Sequence, residues 1–163
     1  DPKTTIDVLG VVGEQFGKNA RFSEISITFD SMRILAEVPD APGKMRDYNA
    51  NDRGITASSM MMPWDAEFRP ERLYRMADLA FFSAEKLNEL TARTFTRLQV
   101  GSEMALARYT FSIGQLPTPD GSFMVPSPDG KVTLEIRLEA DDGWKGGRVT
   151  YSSTCEEIDI VMP

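Results

Sequence analysis

Residues 59–64 read Ser-Met-Met-Met-Pro-Trp, and the successive thioethers of Met60, Met61 and Met62 are the soft ligand type that suits Cu(I). Neighbours on a regular strand point to opposite faces, so Met61 is expected on one side and Met60 with Met62 on the other. Three such residues do not converge on one ion, and a copper site needs a further soft ligand from elsewhere. The stretch therefore reads as a strand, with Met61 in the core, Met60 and Met62 on an open face and Pro63 ending the pairing. In "DYNANDRG", Asp47, Asn49 and Asn51 are spaced two apart, as the first oxygen ligands of a calcium loop are. The sixth position of that loop holds Asp52 where the turn requires Gly, and the twelfth holds Ser58 where a bidentate Glu is required. A polar hairpin turn is the expectation there.

Ser83 and Lys86 in "SAEK" match the Ser-x-x-Lys pattern in which a lysine activates a serine nucleophile. The accompanying elements reduce to a partial echo in "KGG" from Lys145, and a serine ahead of an apolar-periodic run explains itself as a helix N-cap. The chain has no histidine, which removes Ser-His-Asp and Cys-His nucleophiles and histidine-bound zinc hydrolase centres. The carboxylate pairs Asp141-Asp142 and Glu156-Glu157 are adjacent in expected turns, as solvated charges are, and not set across a cleft as acid and base. No catalytic, cofactor-binding or metal residue is assigned, and the chain is expected not to be an enzyme. A Cu(I)- or Ca²⁺-binding protein and an enzyme with a histidine-free site are the alternatives.

The elements that must carry these residues follow from periodicity. Ile6, Leu9, Val12 and Phe16 recur at helical spacing, with Thr4 or Thr5 as N-cap and Gly17 as stop. Ile25, Ile27 and Phe29 then alternate with polar residues, as do Met32, Ile34, Ala36 and Val38 after a two-residue turn at Asp30-Ser31. A third run through Tyr48 and a fourth from Ile55 to Met62 complete helix plus four strands. The second half opens with a helical turn started by Pro70 and a longer helix bearing Leu87, Leu90, Thr94 and Leu98 on one face. Alternating runs follow at 105–113 and 132–138, separated by the proline-rich loop "LPTPDGSFMVPSPDG", and further runs pass through Tyr151 and from Ile158 to Met162. The expected fold is α+β: two tandem repeats, 1–63 and 64–163, each a helix with a four-stranded antiparallel sheet, helices packed on one sheet face. Leu9, Phe16, Leu87, Leu90, Ile27, Ile34, Leu134 and Ile136 are the expected core.

In "PGKMRDYNANDRGI" and the lead-in "FRPERLYRM", this pattern resembles the PepSY-like and β-lactamase-inhibitor-protein-like tandem repeats of bacterial envelope and secreted proteins. The likeness spans nearly the whole chain, although the lone Cys155 leaves out the two disulfides of the secreted inhibitors. The resemblance implies a periplasmic, cell-surface or secreted module without catalytic function, for protein binding or scaffolding, that holds another protein on its open sheet face or loops, with an inhibitor-like role as one form of that.

Composition sets the remaining bounds. At 163 residues with 41% apolar and 26% charged residues, the chain affords a proper core, and no run approaches the ~18 apolar residues of a membrane span. A net charge of −7 disfavours nucleic acid and anionic lipid, which need clustered Lys and Arg. Cys155 alone fits several compartments, and the start at Asp1 leads to the expectation of a removed signal, anchor or preceding domain. The partner-binding surface expected from strand alternation is the sheet face away from the helices. It comprises Arg33, Glu37, Glu135 and Arg137, with Thr133 between them, flanked by Met60, Met62, Trp64 and Trp144.

Overall fold

Helix α1 (Pro2–Phe16) begins at a proline, whose missing N–H is one that the first turn leaves free anyway, and ends where Gly17 adopts φ 83°. Thr4 and Thr5 therefore lie inside the helix and not at its cap. The computed structural model describes residues 2–51, 53–63, 73–101, 104–113, 115–117, 124–126, 131–139 and 145–163. After α1 come strands β1 (Phe22–Ile27), β2 (Met32–Glu37), β3 (Lys44–Asn51) and β4 (Gly54–Pro63), then a 3-10 turn (Met76–Leu79) and helix α2 (Ala84–Leu98). The second group is β5 (Leu106–Ile113), β6 (Gln115–Pro117), β7 (Met124–Pro126), β8 (Val132–Glu139), β9 (Lys145–Tyr151) and β10 (Glu157–Val161). Ser83 caps α2 by accepting from the Lys86 N–H at 3.2 Å, which accounts for the serine of "SAEK".

Two repeats, each a helix plus a four-stranded sheet, are not what forms. Eight strands make one antiparallel sheet in the order β10-β9-β8-β5-β1-β2-β3-β4, with α1 and α2 the α-helices among the described residues. The reason is visible at its centre. A four-stranded sheet ending at β1 or β5 would present an unpaired row of backbone donors and acceptors. Here β1 and β5 satisfy each other, with Ile25 opposite Phe111 and Ile27 opposite Tyr109. One core then runs through both halves of the chain, joining Leu9, Val12, Leu87 and Leu90 of the helices to Ile25, Ile34, Phe111, Leu134 and Ile136 of the sheet. Of the expected core residues only Phe16 is half-buried; its ring packs edge-on against Phe22 and Tyr48, with centroids 5.6 and 4.9 Å away.

Two local expectations also change. The β1–β2 turn falls one residue early: Thr28 N–H donates to the Ser31 carbonyl at 2.8 Å and Ser31 N–H to Thr28 Oγ1 at 3.1 Å, leaving Phe29 and Asp30 at the tip. Phe29 is thus not a core-facing strand residue. The proline-rich segment contains a two-stranded ribbon, β6 with β7, whose prolines sit at strand ends where a missing donor is tolerated. A 3-10 turn forms at Met76–Leu79, and Tyr74 before it bridges to Phe22 and donates its hydroxyl to the Phe111 carbonyl at 2.9 Å. The start of the helical turn expected from Pro70, Pro70 included, is not among the described residues.

Candidate functional site

Alternation puts Glu24, Ser26, Arg33, Asp47, Arg108, Thr110, Thr133, Glu135, Arg137, Arg148 and Thr150 on the sheet face away from the helices. The expected partner residues Arg33, Glu135 and Arg137 stand there, but their charges are used within the chain. Arg33 bonds Asp47 at 2.9 Å through Nε, and Arg137 bonds Glu135 at 3.2 Å. Glu37 takes two hydrogen bonds of 2.6 Å from Arg21 and one of 2.9 Å from the Gly43 N–H. Burial pushes the Glu37 carboxyl up, yet the Arg21 and Gly43 donors outweigh it and hold the group below its ordinary range. Thr133 is buried, donating to the Ser112 carbonyl, and is no part of an exposed surface. The side chains of Met60 and Met62 and the whole of Trp64 and Trp144 lie outside the described residues, as does the side chain of Met61.

Sequence reading missed two arginines on this face. Arg108, Arg137 and Arg148 occupy one row across β5, β8 and β9, directly opposite one another. Glu135 sits between Arg137 and Arg148, 3.2 and 3.4 Å away, and Glu139 lies 3.2 Å from Arg108. The period-2 pattern contained both positions, but no single strand reveals that its arginine faces two others.

The calcium-like residues do not form a loop. Asp47 and Asn49 lie on β3, Asp47 pairs with Arg33, and the Asn51 side-chain oxygen accepts from the Arg53 N–H at 2.9 Å to shape the β3–β4 turn. Cys155 is partly buried, and burial pushes its thiol up, away from the thiolate that a nucleophile or soft-metal ligand needs.

A concave feature lies on the other side. At one end of the helix layer, α1, α2, the two hairpin tips and the start of β5 enclose a cavity of ≈ 850 Å³. Its walls are mostly apolar: Val8 and Val12 from α1, Ile27 and Met32 from the first hairpin, Phe95 from α2 and Ala107 from β5. Around it stand four apolar side chains that the fold leaves in water, Val11 (53% exposed), Phe29 (84%), Ile55 (38%) and Leu106 (47%). Of the polar side chains in the lining, Thr4, Gln15, Asp30, Ser31 and Asn51 are exposed, Thr28 is half-buried and Thr5 is buried. Thr91 and Tyr109 face each other across the α2–β5 contact, their oxygens 3.0 Å apart, and burial pushes the Tyr109 phenol up, so it stays neutral. Asp30 is the one carboxylate among the described lining residues, and no lysine or arginine is among them.

Among the described residues no three His, Cys, Asp or Glu side chains converge as metal ligands, and the carboxylate at the hairpin tip, Asp30, accepts from the Thr28 hydroxyl at 3.1 Å; what the largely apolar wall can do is desolvate an apolar guest. The signal was present as apolar residues in excess of what the strands need, Phe29 and Ile55 at the two tips. No family model, curated protein or solved structure matches the chain.

Proposed function

We propose that this protein is a non-catalytic binding module whose principal site is the cleft between α1, α2 and the tips of the β1–β2 and β3–β4 hairpins, and whose ligand is a small apolar molecule. One observation carries the reading: Val11, Phe29, Ile55 and Leu106, from four separate elements, are left exposed around a single ≈ 850 Å³ cavity. Exposed apolar side chains scattered singly need no explanation, whereas their convergence on one concavity marks a binding site. The volume falls within the range of about 300–1,000 Å³ that small-molecule sites occupy. On the sheet face expected to hold a partner protein, the described charges Arg33, Glu37, Glu135 and Arg137 are paired within the chain, which favours the cleft.

A neutral environment-sensitive dye such as Nile red should bind this protein stoichiometrically with an emission rise. Phe29→Ser should weaken that binding about tenfold while the melting temperature holds, because an exposed tip residue contributes to the guest and not to the core. Dye binding that ignores Phe29→Ser and Val11→Ser alike, or no binding at all, refutes the cleft and points to the sheet face.

A further inference from the structure

The cleft's polar pair also says which apolar molecule fits, an inference that rests on the cleft being the binding site. A hydroxyl has one proton to give. Thr91 Oγ1 lies 2.6 Å from the Leu87 carbonyl one turn back along α2, and that carbonyl can only accept, so the Thr91 proton is committed to it. In the 3.0 Å contact between Thr91 and Tyr109 the tyrosine is then the donor, and its proton is committed as well. Both donors point into the protein. What this pair, Thr91 half-buried and Tyr109 buried, can offer a guest is lone pairs; the amide donors of the lining, Gln15 and Asn51, and its carboxylate, Asp30, are exposed, and no lysine or arginine is among the described lining residues.

We infer that the cleft selects an apolar molecule carrying a neutral hydrogen-bond donor, a long-chain or polycyclic alcohol, and rejects the carboxylate of the same skeleton. A hydroxyl guest gives its proton to the Tyr109 or Thr91 oxygen inside the cleft. At that pair a carboxylate or ketone brings a second acceptor against acceptors, and the carboxylate must in addition shed its hydration there with no cation among the described lining residues to meet it.

The test is displacement of bound Nile red by matched twelve-carbon probes at about pH 8, where a free carboxylic acid is fully ionised. Dodecanol should displace the dye at concentrations about tenfold lower than dodecanoate or decyl methyl ketone, the equivalent of one hydrogen bond. Thr91→Val, close in shape, removes the acceptor that occupies Tyr109 and frees the phenol proton for the guest. The ketone should then gain about tenfold and overtake its wild-type affinity, while the alcohol changes little. If dye binds but alcohol, ketone and carboxylate compete equally, the cleft stands and the selectivity is overturned. A ketone indifferent to Thr91→Val overturns the role given to the hydroxyl pair. Failure of both dye and alcohol to bind overturns the cleft itself.

Discussion

Ser26 and Thr110 stand directly opposite each other where β1 meets β5, their hydroxyl oxygens 3.1 Å apart on the face away from the helices. This contact lies at the middle of the eight strands, so it reports whether the sheet is continuous. Native-state hydrogen exchange should find the β1 and β5 amides among the slowest in the molecule, opening only with global unfolding, while β4 and β10 at the two edges exchange faster. Two independent four-stranded units would give the opposite order, with β1 and β5 fraying as edges.

The Arg21–Glu37 pair predicts how stability responds to acid. The folded Glu37 carboxyl is held below its unfolded value, so its stabilisation is fully present above the unfolded carboxylate range near about pH 4.3 and is lost as the pH falls through the lower, folded value. Glu37→Gln keeps the shape but weakens the Arg21 contact and costs about 1–2 kcal/mol at neutral pH, discounted because Arg21 is partly exposed. Urea melts of the variant should lose part of the wild-type acid slope below about pH 4. An unchanged slope would mean that Glu37 is not the group responsible.

The arginine row makes a prediction about salt. Glu135 is the shared counter-charge of Arg137 and Arg148, which face each other and Arg108 across neighbouring strands. Like charges directly opposite on a sheet repel, so Glu135→Gln should destabilise the protein by about 1 kcal/mol at low ionic strength. Raising salt to about 1 M shortens the screening length to about 3 Å and should shrink that loss to near zero. A deficit that persists in high salt would point to lost packing, not to repulsion.

How legible these features were depends on how local their causes are. Ile25 and Ile27, Met32 and Ile34, and Leu134 and Ile136 announce core-facing strands because a half-buried strand sorts its side chains with period 2. Ser83 and Gly17 likewise mark helix ends through their own backbone neighbourhoods. The pairing of β1 with β5 is different in kind. Ile25 and Phe111 are far apart in the chain, and nothing in either strand's alternation names the other as neighbour. The cleft left only a partial signal, Phe29 and Ile55 at the two tips, because the element ends that make it meet only once the sheet is whole. Phe29 is instructive here: a one-residue difference in turn position moves it from the expected core face to the rim of the cleft, because register decides the side on which every residue falls.

The two glycines Gly147 and Gly10 should answer substitution with opposite signs. Gly147 in β9 has φ 86°, a conformation that strains any residue with a side chain, and a Cβ there would overlap the Val161 carbonyl oxygen and stand 3.1 Å from Leu98 Cδ2. Neither the backbone of β10 nor the buried leucine of α2 yields cheaply, so Gly147→Ala should cost about 2–4 kcal/mol and loosen the β9–β10 edge. Gly10 lies within α1, exposed, and a methyl group added to it would meet nothing within 4 Å, so there the methyl only restricts the unfolded chain and favours the helix. Gly10→Ala should therefore raise stability by about 0.5–1 kcal/mol. Paired urea denaturation curves measure both at once. A neutral Gly147→Ala would show that the C-terminal strand does not close against β9 as tightly as that overlap with Val161 requires.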